Sequence, residues 1–423
     1  MSTDHLPEQS PPLEWQAISR RRFLQGSALV GFSAFLAACG ASSTESTAPA
    51  SISIPTVPPV SPTPVPSPTP LPSPTGPLMF ANWPAYIDLT GKAYDTGVYT
   101  KGSSPTIEQF KKKYGVDVSY VEDIEDNKTF YAKIQPQLQA GTPTGWDLIV
   151  VTDWLAAKII SKGWAEQIIH DDVPNAVNNL QDSLKNQVWD PKNDYHFPWQ
   201  SGMTGIGFNK KSLKTAGIAE PKSLKDLFAI QPTKISFLTE SRDTFGLGLL
   251  KLGKSADPAQ VTDDDLQAVH DDIKTLVDGG LIFADNSYLK NFASKKTWAA
   301  MVWSGDLASS GSEDDVFQVP EEGVMIWTDN MIIPKGAVNK YTAELMINFV
   351  YDPPIAAQIE DYVYYVCPVK GADVEIKKLD AGAETNPLIF PPADVQAKFH
   401  NFQFLSAELE AKLDELYLDL TGG

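Results

Sequence analysis

The chain has 423 residues, of which 42% are hydrophobic and 10% aromatic, and its formal net charge at pH 7 is -19. This length predicts two lobes or domains with extensions, and the apolar content excludes a chain that is disordered throughout. The negative charge excludes electrostatic attraction to nucleic acid or to an anionic membrane surface, while it raises the local concentration of cations. Because acidic charge also keeps proteins soluble, it does not identify a ligand.

The N-terminus carries the pattern of an export signal. Ser19–Gln25 matches the twin-arginine pattern, and an apolar run follows from Ala28 to Ala38. That run is too short to cross a bilayer, so residues 1–38 are predicted to be a twin-arginine signal peptide. The run ends at Cys39 in a sequence that resembles the lipobox of bacterial lipoproteins, which implies lipidation of this cysteine. The alternative is a short buried helix that ends in a chance cysteine.

Residues 39–77 are predicted to form a stalk that begins at the lipidated cysteine. Their composition is dominated by Ser, Thr, Pro and Ala, and proline occupies alternate positions from Pro62 to Pro74. Such a segment cannot bury apolar surface and favours the extended polyproline conformation. A stalk of this kind would let a folded body move while it stays near a membrane partner.

Strands and helices are predicted to alternate through the rest of the chain. In chain order we expect a strand at Leu78–Asn82, a helix opening at Pro105, a strand at Val116–Tyr120, a helix at Asn127–Gln139, a strand at Leu148–Val151, helices at Asp153–Lys162, Leu224–Ala229, Thr244–Leu252 and Asp263–Asp278, strands at Ala299–Trp303 and Val324–Trp327, and helices at Ala343–Tyr351, Ile355–Tyr362 and Ala407–Leu418. The alternation predicts an α/β fold with a parallel-type sheet, in which ligands bind beyond the strand ends.

The sequence offers no catalytic motif. The five histidines show no metal-ligand spacing, and no G-x-S-x-G nucleophile motif is present. The glycines of Gly202–Gly207 do not follow phosphate-binding spacing, so we interpret them as a close-packed crossing segment. Cys39 and Cys367 are far apart, which predicts neither a disulfide nor a metal site with cysteine ligands. We therefore predict no enzyme, no metal and no cofactor.

Aromatic residues and carboxylates recur together near the predicted strand ends. Their chemistry suits an alkyl polyamine, because carboxylates bind its ammonium groups and flat apolar walls cover its methylenes. The residues concerned are Trp83, Tyr86, Asp153, Trp154, Glu240, Asp243, Trp303, Asp306, Trp327 and Asp329.

Each of these residues also has a structural interpretation. Tryptophans are more often part of a core or a lobe interface. Asp153 and Asp243 stand where helix N-caps occur, and Asp329 could belong to a turn. Arg242 could pair with Glu240 or Asp243. Spacing alone therefore does not identify the ligand.

From Phe80 to about Pro392, the chain resembles the spermidine/putrescine-binding proteins of ABC importers. The matching stretches follow the order of that family, and they are Asn82–Tyr86, Asp147–Trp154, Phe197–Asn209, Arg242–Gly246, Trp303–Asp306, Trp327–Pro334 and Ile347–Phe349.

The resemblance implies a two-lobed periplasmic-binding-protein-like fold of type II. Each lobe would contain a mixed sheet flanked by helices, and the ligand would lie in the cleft between the lobes. The first lobe would comprise residues 78–206 with 329–370, and the second residues 207–328 with 371–423. Hinge segments would cross near Gly205–Asn209, near Trp327–Asp329, and once more before the C-terminal helices.

The resemblance also implies roles for individual residues. Trp83, Tyr86, Thr152 and Trp154 would line the cleft from the first lobe. Glu240 and Asp243 would be the ammonium-binding acids of the second lobe, and Asp329 would bind a second ammonium. Trp303 and Trp327 would enclose the methylene chain, and Tyr365 would match a late pocket tyrosine.

The chain departs from the family pattern at four places. Tyr364–Pro368 replaces a Gly-Tyr-Pro-Thr-Pro-like run, and Asp306 stands where a neutral residue is common. The insertion Asp88–Ser104 is longer than usual and could cover the mouth of the cleft. The late polar contact of the family has no clear counterpart around His400–Gln403. These departures leave open which polyamine is bound.

The resulting hypothesis is a monomeric, lipid-anchored binding protein on the outer side of the cytoplasmic membrane, in the periplasm or at the cell surface. It would capture a polyamine and deliver it to an ABC permease, without contact to nucleic acid. The alternatives are a binding protein for a guanidino compound or a quaternary amine, and a membrane-anchored ligand sensor. A surface-anchored hydrolase would need a nucleophile and base, which the sequence does not offer.

Overall fold

The computed structural model describes residues 72–89, 104–310 and 312–422. The predicted signal peptide, Cys39 and most of the predicted stalk and of the insertion lie outside these residues. The end of the stalk is included, and there Thr75 is attached to the folded body. Its backbone N–H donates to Thr342 Oγ1 at 2.9 Å, and its hydroxyl donates to Asn339 Oδ1 at 2.7 Å.

The strands form one mixed sheet with the order β2-β1-β3-β9-β4-β7-β5-β6, and β8 and β10 pair with β4 and β9 off this path. The strands are β1 (Leu78–Asn82), β2 (Val118–Glu122), β3 (Leu148–Thr152), β4 (His196–Asn209), β5 (Ile235–Leu238), β6 (Ile282–Ala284), β7 (Ala299–Trp303), β8 (Asp315–Gln318), β9 (Val324–Ile332) and β10 (Phe399–His400).

Helices cover the sheet and connect its strands. They are α1 (Pro105–Tyr114), α2 (Asn127–Ala140), α3 (Asp153–Ser161), α4 (Pro174–Asn179), α5 (Lys210–Ala216), α6 (Leu224–Ala229), α7 (Ser241–Lys251), α8 (Asp263–Asp278), α9 (Tyr288–Ala293), α10 (Ser304–Ser309), α11 (Lys340–Val350), α12 (Pro353–Val363), α13 (Ala372–Leu379), α14 (Ala393–Gln396) and α15 (Ala407–Thr421).

Local sequence explains where several helices begin and end. Ser104 caps α1 by accepting a hydrogen bond from Ile107 N, and Pro105 occupies the first helical position, where its missing N–H costs nothing. The helix ends at Gly115, whose φ of 72° is the left-handed conformation that glycine tolerates best. Thr262 and Asp265 form a reciprocal capping box at the start of α8.

The strand pairing corrects the expectation of a parallel-type sheet. β1 pairs in parallel with β2 and β3, and β5 pairs in parallel with β6 and β7. The long strands β4 and β9 are antiparallel to each other and to their other sheet neighbours β3, β7 and β8. The sheet is therefore mixed, as the family resemblance implies.

Most predicted elements are present, with two boundary errors among the strands. The strand predicted at Val116–Tyr120 lies two residues later, and the strand predicted at Val324–Trp327 continues to Ile332. Because β9 passes straight through Asp329, the interpretation of this residue as part of a turn is wrong. The segment Gly202–Gly207 does pack closely, but it lies within β4, which the sequence analysis did not predict as a strand.

The carboxyl ends of the parallel strands face each other near the middle of the sheet. Because the pairs β3–β9, β9–β4 and β4–β7 are all antiparallel, β1 and β3 run in the opposite direction to β5, β6 and β7. β3 ends at Thr152 opposite Asp329 of β9, and β7 ends at Trp303 opposite Thr204 of β4. In α/β sheets ligands bind beyond such strand ends because the strand-to-helix loops converge there. This region contains the cavity described next.

Candidate functional site

A cleft with a volume of about 730 Å³, including the open space at its mouth, lies at the carboxyl ends of these strands. Eleven of the twelve residues predicted from the sequence as ligand-binding line it, and they are Trp83, Tyr86, Thr152, Trp154, Glu240, Asp243, Trp303, Asp306, Trp327, Asp329 and Tyr365. The structure thus brings together aromatic and acidic side chains that are up to 282 positions apart in the sequence.

Asp329 is held at the centre of a hydrogen-bond network. The Tyr86 hydroxyl donates to Asp329 Oδ2 at 3.0 Å, and the Thr152 hydroxyl donates to Oδ1 at 2.6 Å. Asn127 Nδ2 in turn donates to Thr152 Oγ1 at 2.9 Å, which fixes the direction of the threonine hydroxyl. Burial raises the pKa of Asp329 to about 7, although both hydroxyl contacts lower it.

Glu240 and Asp243 approach the cleft from the start of α7. The indole N–H of Trp303 donates to Asp243 Oδ2 at 3.0 Å, while Asp243 Oδ1 has no hydrogen-bond partner among the described residues. Burial and then the Asp243 charge raise the pKa of Glu240 to about 7, and burial raises that of Asp243 to about 6. The expectation that Asp243 could be an N-cap is wrong, because it is the third residue of the helix.

These three carboxylates have no ion-pair partner in the part of the chain that the structure describes, although the nearby Arg242 charge lowers the pKa of Glu240 and of Asp243. No lysine or arginine there forms an ion pair with Glu240, Asp243 or Asp329. A buried carboxylate without a counter-charge is costly, and its ionised form gains most from a cation that supplies hydrogen-bond donors. The cleft is therefore chemically suited to an organic cation.

Arg242 lies in the cleft wall but pairs elsewhere. Its Nη2 donates to Glu410 Oε1 at 3.0 Å, and its Nε donates to Gln403 O at 3.2 Å. Its guanidinium lies 4.1 Å from the centre of the Trp154 ring, a cation–π contact. The interpretation in which Arg242 pairs with Glu240 or Asp243 is therefore not what the structure shows.

The indole of Trp327 packs directly on β4. Its Nε1 donates to Thr204 Oγ1 at 3.0 Å. A Cβ atom on Gly202 would lie 2.1 Å from Trp327 Cζ2, so only glycine at this position admits the ring. Trp327 also meets Tyr365 at a ring-centroid distance of 5.5 Å. These contacts hold the aromatic wall of the cleft rigidly.

Tyr365 is anchored to Asp306. Its hydroxyl donates to Asp306 Oδ1 at 2.9 Å, and Tyr288 OH and Asn286 Nδ2 both donate to Oδ2 at 2.5 Å. Because Asp306 accepts these three bonds, the structure shows it orienting Tyr365. The Tyr365 ring stands edge-on to Tyr86, with centroids 5.2 Å apart.

Asp153 is the predicted site residue that does not line the cleft. Its carboxylate accepts from Thr328 N at 3.1 Å and from Asn330 Nδ2 at 2.9 Å. It does not cap α3 either, since it is the first helical residue after Thr152. The sequence placed it correctly beyond a strand end, but the side chain turns towards β9 instead of into the cavity.

Several lining residues were not assigned by the sequence analysis, and they are Pro84, Ala85, Asn127, Arg242, Asn286, Val363 and Gln403. Gln403 lies in the stretch His400–Gln403, in which the sequence showed no clear counterpart of the family's late polar contact. Asn127 and Asn286 follow β2 and β6, so the rule that ligands bind beyond strand ends could have found them.

Within residues 72–89, 104–310 and 312–422, no group of three or more His, Cys, Asp or Glu side chains is arranged to hold a metal ion. Among the same residues, no helix has both the length and the apolar character needed to span a bilayer.

Comparison with known proteins gives a consistent group of relatives. The spermidine/putrescine-binding periplasmic protein of Salmonella typhimurium is 26% identical over 352 residues, which are 82% of this chain and 92% of that protein. A putrescine-binding periplasmic protein of Escherichia coli is 27% identical, and the alignment covers 72% of this chain and 84% of that protein.

Solved structures agree on the fold. The substrate-binding protein of a spermidine/putrescine ABC transporter from Streptococcus pneumoniae superposes with a TM-score of 0.64 at 24% identity, covering 82% of this chain and 98% of that one. The fold is thus the α/β fold of periplasmic binding proteins. The family model described as bacterial extracellular solute-binding protein matches residues 106–381, well over half of the chain. The chain therefore belongs to the bacterial extracellular solute-binding protein family.

Proposed function

We propose that the chain is the extracytoplasmic substrate-binding subunit of an ABC importer and that its cleft captures a polyamine such as spermidine or putrescine. The observation that carries this proposal is the set of three carboxylates, Glu240, Asp243 and Asp329, which face one aromatic cleft without an ion pair to any described lysine or arginine. A polyamine supplies both ammonium groups for the acids and methylenes for the rings.

The arrangement suggests how the ligand would be held. Asp329 would bind one ammonium, oriented by its bonds to Tyr86 and Thr152. Glu240 and Asp243 would bind another ammonium, because both project from the start of α7. The methylene chain between them would run along the rings of the cleft wall. The tryptophans in that wall are Trp83, Trp154, Trp303 and Trp327.

The relatives support the same ligand class. Those in Salmonella typhimurium and Escherichia coli are named for binding spermidine, putrescine or both. Identities of 26–27% over most of the chain support a shared architecture and leave room for a change of ligand. Another organic cation, guanidino or quaternary, is therefore an outcome that the experiment must distinguish.

We propose further that the strands divide into two lobes, residues 78–206 with 329–370 and residues 207–328 with 371–423, which close over the ligand. Contacts between the two parts support the idea that they close on each other. Lys128 of α2 pairs with Asp414 of α15 at 2.5 Å, and Tyr365 reaches Asp306. The closed form would then be recognised by a membrane permease.

The proposed location rests on the N-terminal sequence. Residues 1–38 would direct export by the twin-arginine route, and lipidation of Cys39 would anchor the protein as a monomer on the outer side of the cytoplasmic membrane. Metabolic labelling with a radioactive or clickable fatty acid tests the anchor, since Cys39→Ser should abolish both the label and membrane association.

A ligand panel followed by thermal denaturation tests the proposed function. At 100 times its dissociation constant, a ligand that binds only the folded state stabilises it by about 2.7 kcal/mol, which raises the melting temperature by several degrees. Spermidine or putrescine should give the largest rise. A larger rise with agmatine or choline would replace the polyamine by a guanidino or quaternary ligand. No rise with any cation would refute the proposal.

A further inference from the structure

The end of β3 meets β9 at the residue that carries the central carboxylate of the cleft. The antiparallel register pairs Val151 with Asn330 and Thr152 with Asp329. If β3 continued, its next residue would face Thr328. Instead the chain turns into α3 at Asp153, so Thr328 of β9 has no backbone partner on β3.

The side chain of Asp153 takes the place of the missing strand residue. Its Oδ2 accepts the backbone N–H of Thr328 at 3.1 Å, and its Oδ1 accepts Asn330 Nδ2 at 2.9 Å. The carboxylate therefore holds the residues on both sides of Asp329. Asp153 is 5% exposed and does not line the cleft, so its hydrogen bonds reach the site through β9 and not through the cavity.

We propose that Asp153 is a positioning residue: it fixes the stretch of β9 that carries Asp329, and its charge acts on the Asp329 carboxyl. The part of this inference that concerns ligand affinity rests on the proposed function. The part that concerns Asp329 itself does not, because the two carboxyl groups interact in the protein without a ligand.

The electrostatic part follows from like charges in a buried setting. Burial raises the pKa of Asp329 to about 7, and the charges of Asp153 and Glu240 contribute to this rise. Burial also raises the pKa of Asp153 to about 7, against the lowering effect of its two hydrogen bonds. The titratable groups that face Asp329 from the surrounding elements are Tyr86, Asp153, Glu240, Asp243 and Tyr365.

The variant Asp153→Asn removes the charge with little change of shape. The new amide oxygen can still accept the Thr328 N–H. The new amide N–H₂ would face Asn330 Nδ2, but Asn330 Oδ1 has no partner in this structure and can accept it after the Asn330 amide turns over. That rotation gives up the bond from Asn330 Nδ2 to Thr328 O at 3.1 Å and brings Asn330 Oδ1 towards the same carbonyl oxygen, so the variant should also be less stable.

The control is Asp147, the acid at the opposite end of the same strand. It is also buried, and its carboxylate accepts from Met79 N and from Asn339 N and Nδ2. Asp147→Asn therefore disturbs a buried carboxylate next to β3 without touching β9 near Asp329. It should lower the melting temperature and leave the titration of Asp329 unchanged.

The experiment is an NMR pH titration of the side-chain carboxyl carbons in the full folded body labelled with ¹³C-aspartate, with Asp329→Asn used to assign the signal. In the wild type the Asp329 signal should titrate over a broad range, because Asp153, Glu240 and Asp243 titrate close to it. In Asp153→Asn its midpoint should be lower, so that about threefold more Asp329 is ionised at pH 6. Spermidine affinity at pH 6 should rise by the same factor.

A midpoint that Asp153→Asn leaves unmoved would overturn the inference. An equal shift in Asp147→Asn would also overturn it, because the effect would then be general. If the Asp153 variant does not fold, the reciprocal change decides the question, because the Asp153 midpoint should fall in Asp329→Asn. If neither spermidine nor putrescine binds at any pH, the proposed function fails, while the two titration curves still decide the role of Asp153.

Discussion

At the scale of single residues, the cleft depends on carboxyl groups that are kept away from bulk water. Asp329 has two neutral hydroxyl donors, and Asp243 has one indole donor and one oxygen without a partner among the described residues. These neutral donors hold the acids in place without cancelling their charge. The acids can therefore still accept hydrogen bonds from the cationic groups of a ligand.

Removal of the central charge should abolish tight binding. We expect Asp329→Asn to weaken spermidine binding by about 100-fold, since breaking one member of a buried charge pair costs about 3 kcal/mol. The melting temperature of the ligand-free protein should change little, because an amide oxygen can still accept from Thr152. Titration calorimetry measures the affinity, and denaturation measures the stability.

The matched control for this variant is Asp315→Asn. Asp315 is a buried acid like Asp329. It accepts a hydrogen bond from Asn209 Nδ2 at 2.7 Å, and it lies outside the cleft. It should bind spermidine as the wild type does. Normal binding by Asp329→Asn, or an equal loss in the control, would show that the central carboxylate has no specific role.

The raised pKa values predict opposite pH effects on binding and on stability. Burial raises the pKa of Glu240, Asp243 and Asp329 to between about 6 and 7, so these groups are largely protonated at pH 5.5. A cation binds their ionised forms, so affinity should rise from pH 5.5 to pH 8 and then level off. Quenching of the cleft tryptophans at three pH values measures this.

The ligand-free protein should show the reverse trend. An acid whose pKa is higher in the folded state than in the unfolded state favours folding while it is protonated. These carboxyls should therefore stabilise the fold less as the pH rises from about 4 towards 7. Urea denaturation at pH 5.5 and pH 8 tests this, with Asp329→Asn expected to flatten the difference. An affinity that falls with rising pH would contradict both arguments.

At the scale of elements, β4 and β9 bring the site together. β9 carries Trp327 and Asp329 and pairs with both β3 and β4. Gly202 of β4 leaves the space that the Trp327 ring occupies. The position of the aromatic wall thus depends on strand pairing. A small change in β4 should therefore change the affinity for the ligand.

Gly202→Ala should displace the Trp327 ring. The added Cβ would lie 2.1 Å from Cζ2, so the indole or the strand must move. We expect lower stability by about 1–3 kcal/mol, as for other overpacked cores, together with weaker spermidine binding. In the double variant Gly202→Ala/Trp327→Leu, the clash is relieved, so stability should recover while binding does not. Recovery of both would mean that the indole is not part of the binding surface.

The sequence predicts the elements of this fold better than their pairing. Helices with strong caps, such as Asp263–Asp278, and short apolar strands, such as Leu78–Asn82, carry local signals and were predicted correctly. β4 was missed because its glycines and its buried residues on both faces lack the alternation of a surface strand. Its existence depends on pairing with β9, β7 and β8, which is information from distant parts of the chain.

The same distinction applies to the candidate site. Residues at the ends of strands could be placed in a common cleft from the sequence, because the position of a strand end is a local property. The direction of a side chain is not local. Asp153 turns to β9, and Asp306 is occupied by Tyr288, Asn286 and Tyr365, only because elements far apart in sequence supply those partners.

At the scale of the whole molecule, the proposed lobes meet through contacts at both the cleft and its outside. Lys158 of α3 reaches Glu410 of α15 at 3.4 Å, and Lys128 of α2 pairs with Asp414 of α15. Partly exposed ion pairs of this kind contribute little individually. Weak contacts of this kind suit lobes that close only when a ligand binds, since a modest binding energy can then shift the equilibrium from the open to the closed form.

Ligand binding should therefore make the protein more compact. We expect spermidine to reduce the radius of gyration measured by small-angle X-ray scattering, because hinge closure brings the lobes together. Asp329→Asn should show no such reduction at the same spermidine concentration. An unchanged radius in the wild type under saturating ligand would contradict closure, although not binding itself.

Titration calorimetry of the purified folded body with spermidine and putrescine at pH 8 is the most direct test of the account. Its central claim is that the acids and indoles of one cleft recognise an elongated organic cation. The account predicts saturable binding of one polyamine per chain, lost in Asp329→Asn and retained in Asp315→Asn. Absence of saturable heat with both polyamines, together with tight binding of an anionic solute, would contradict it.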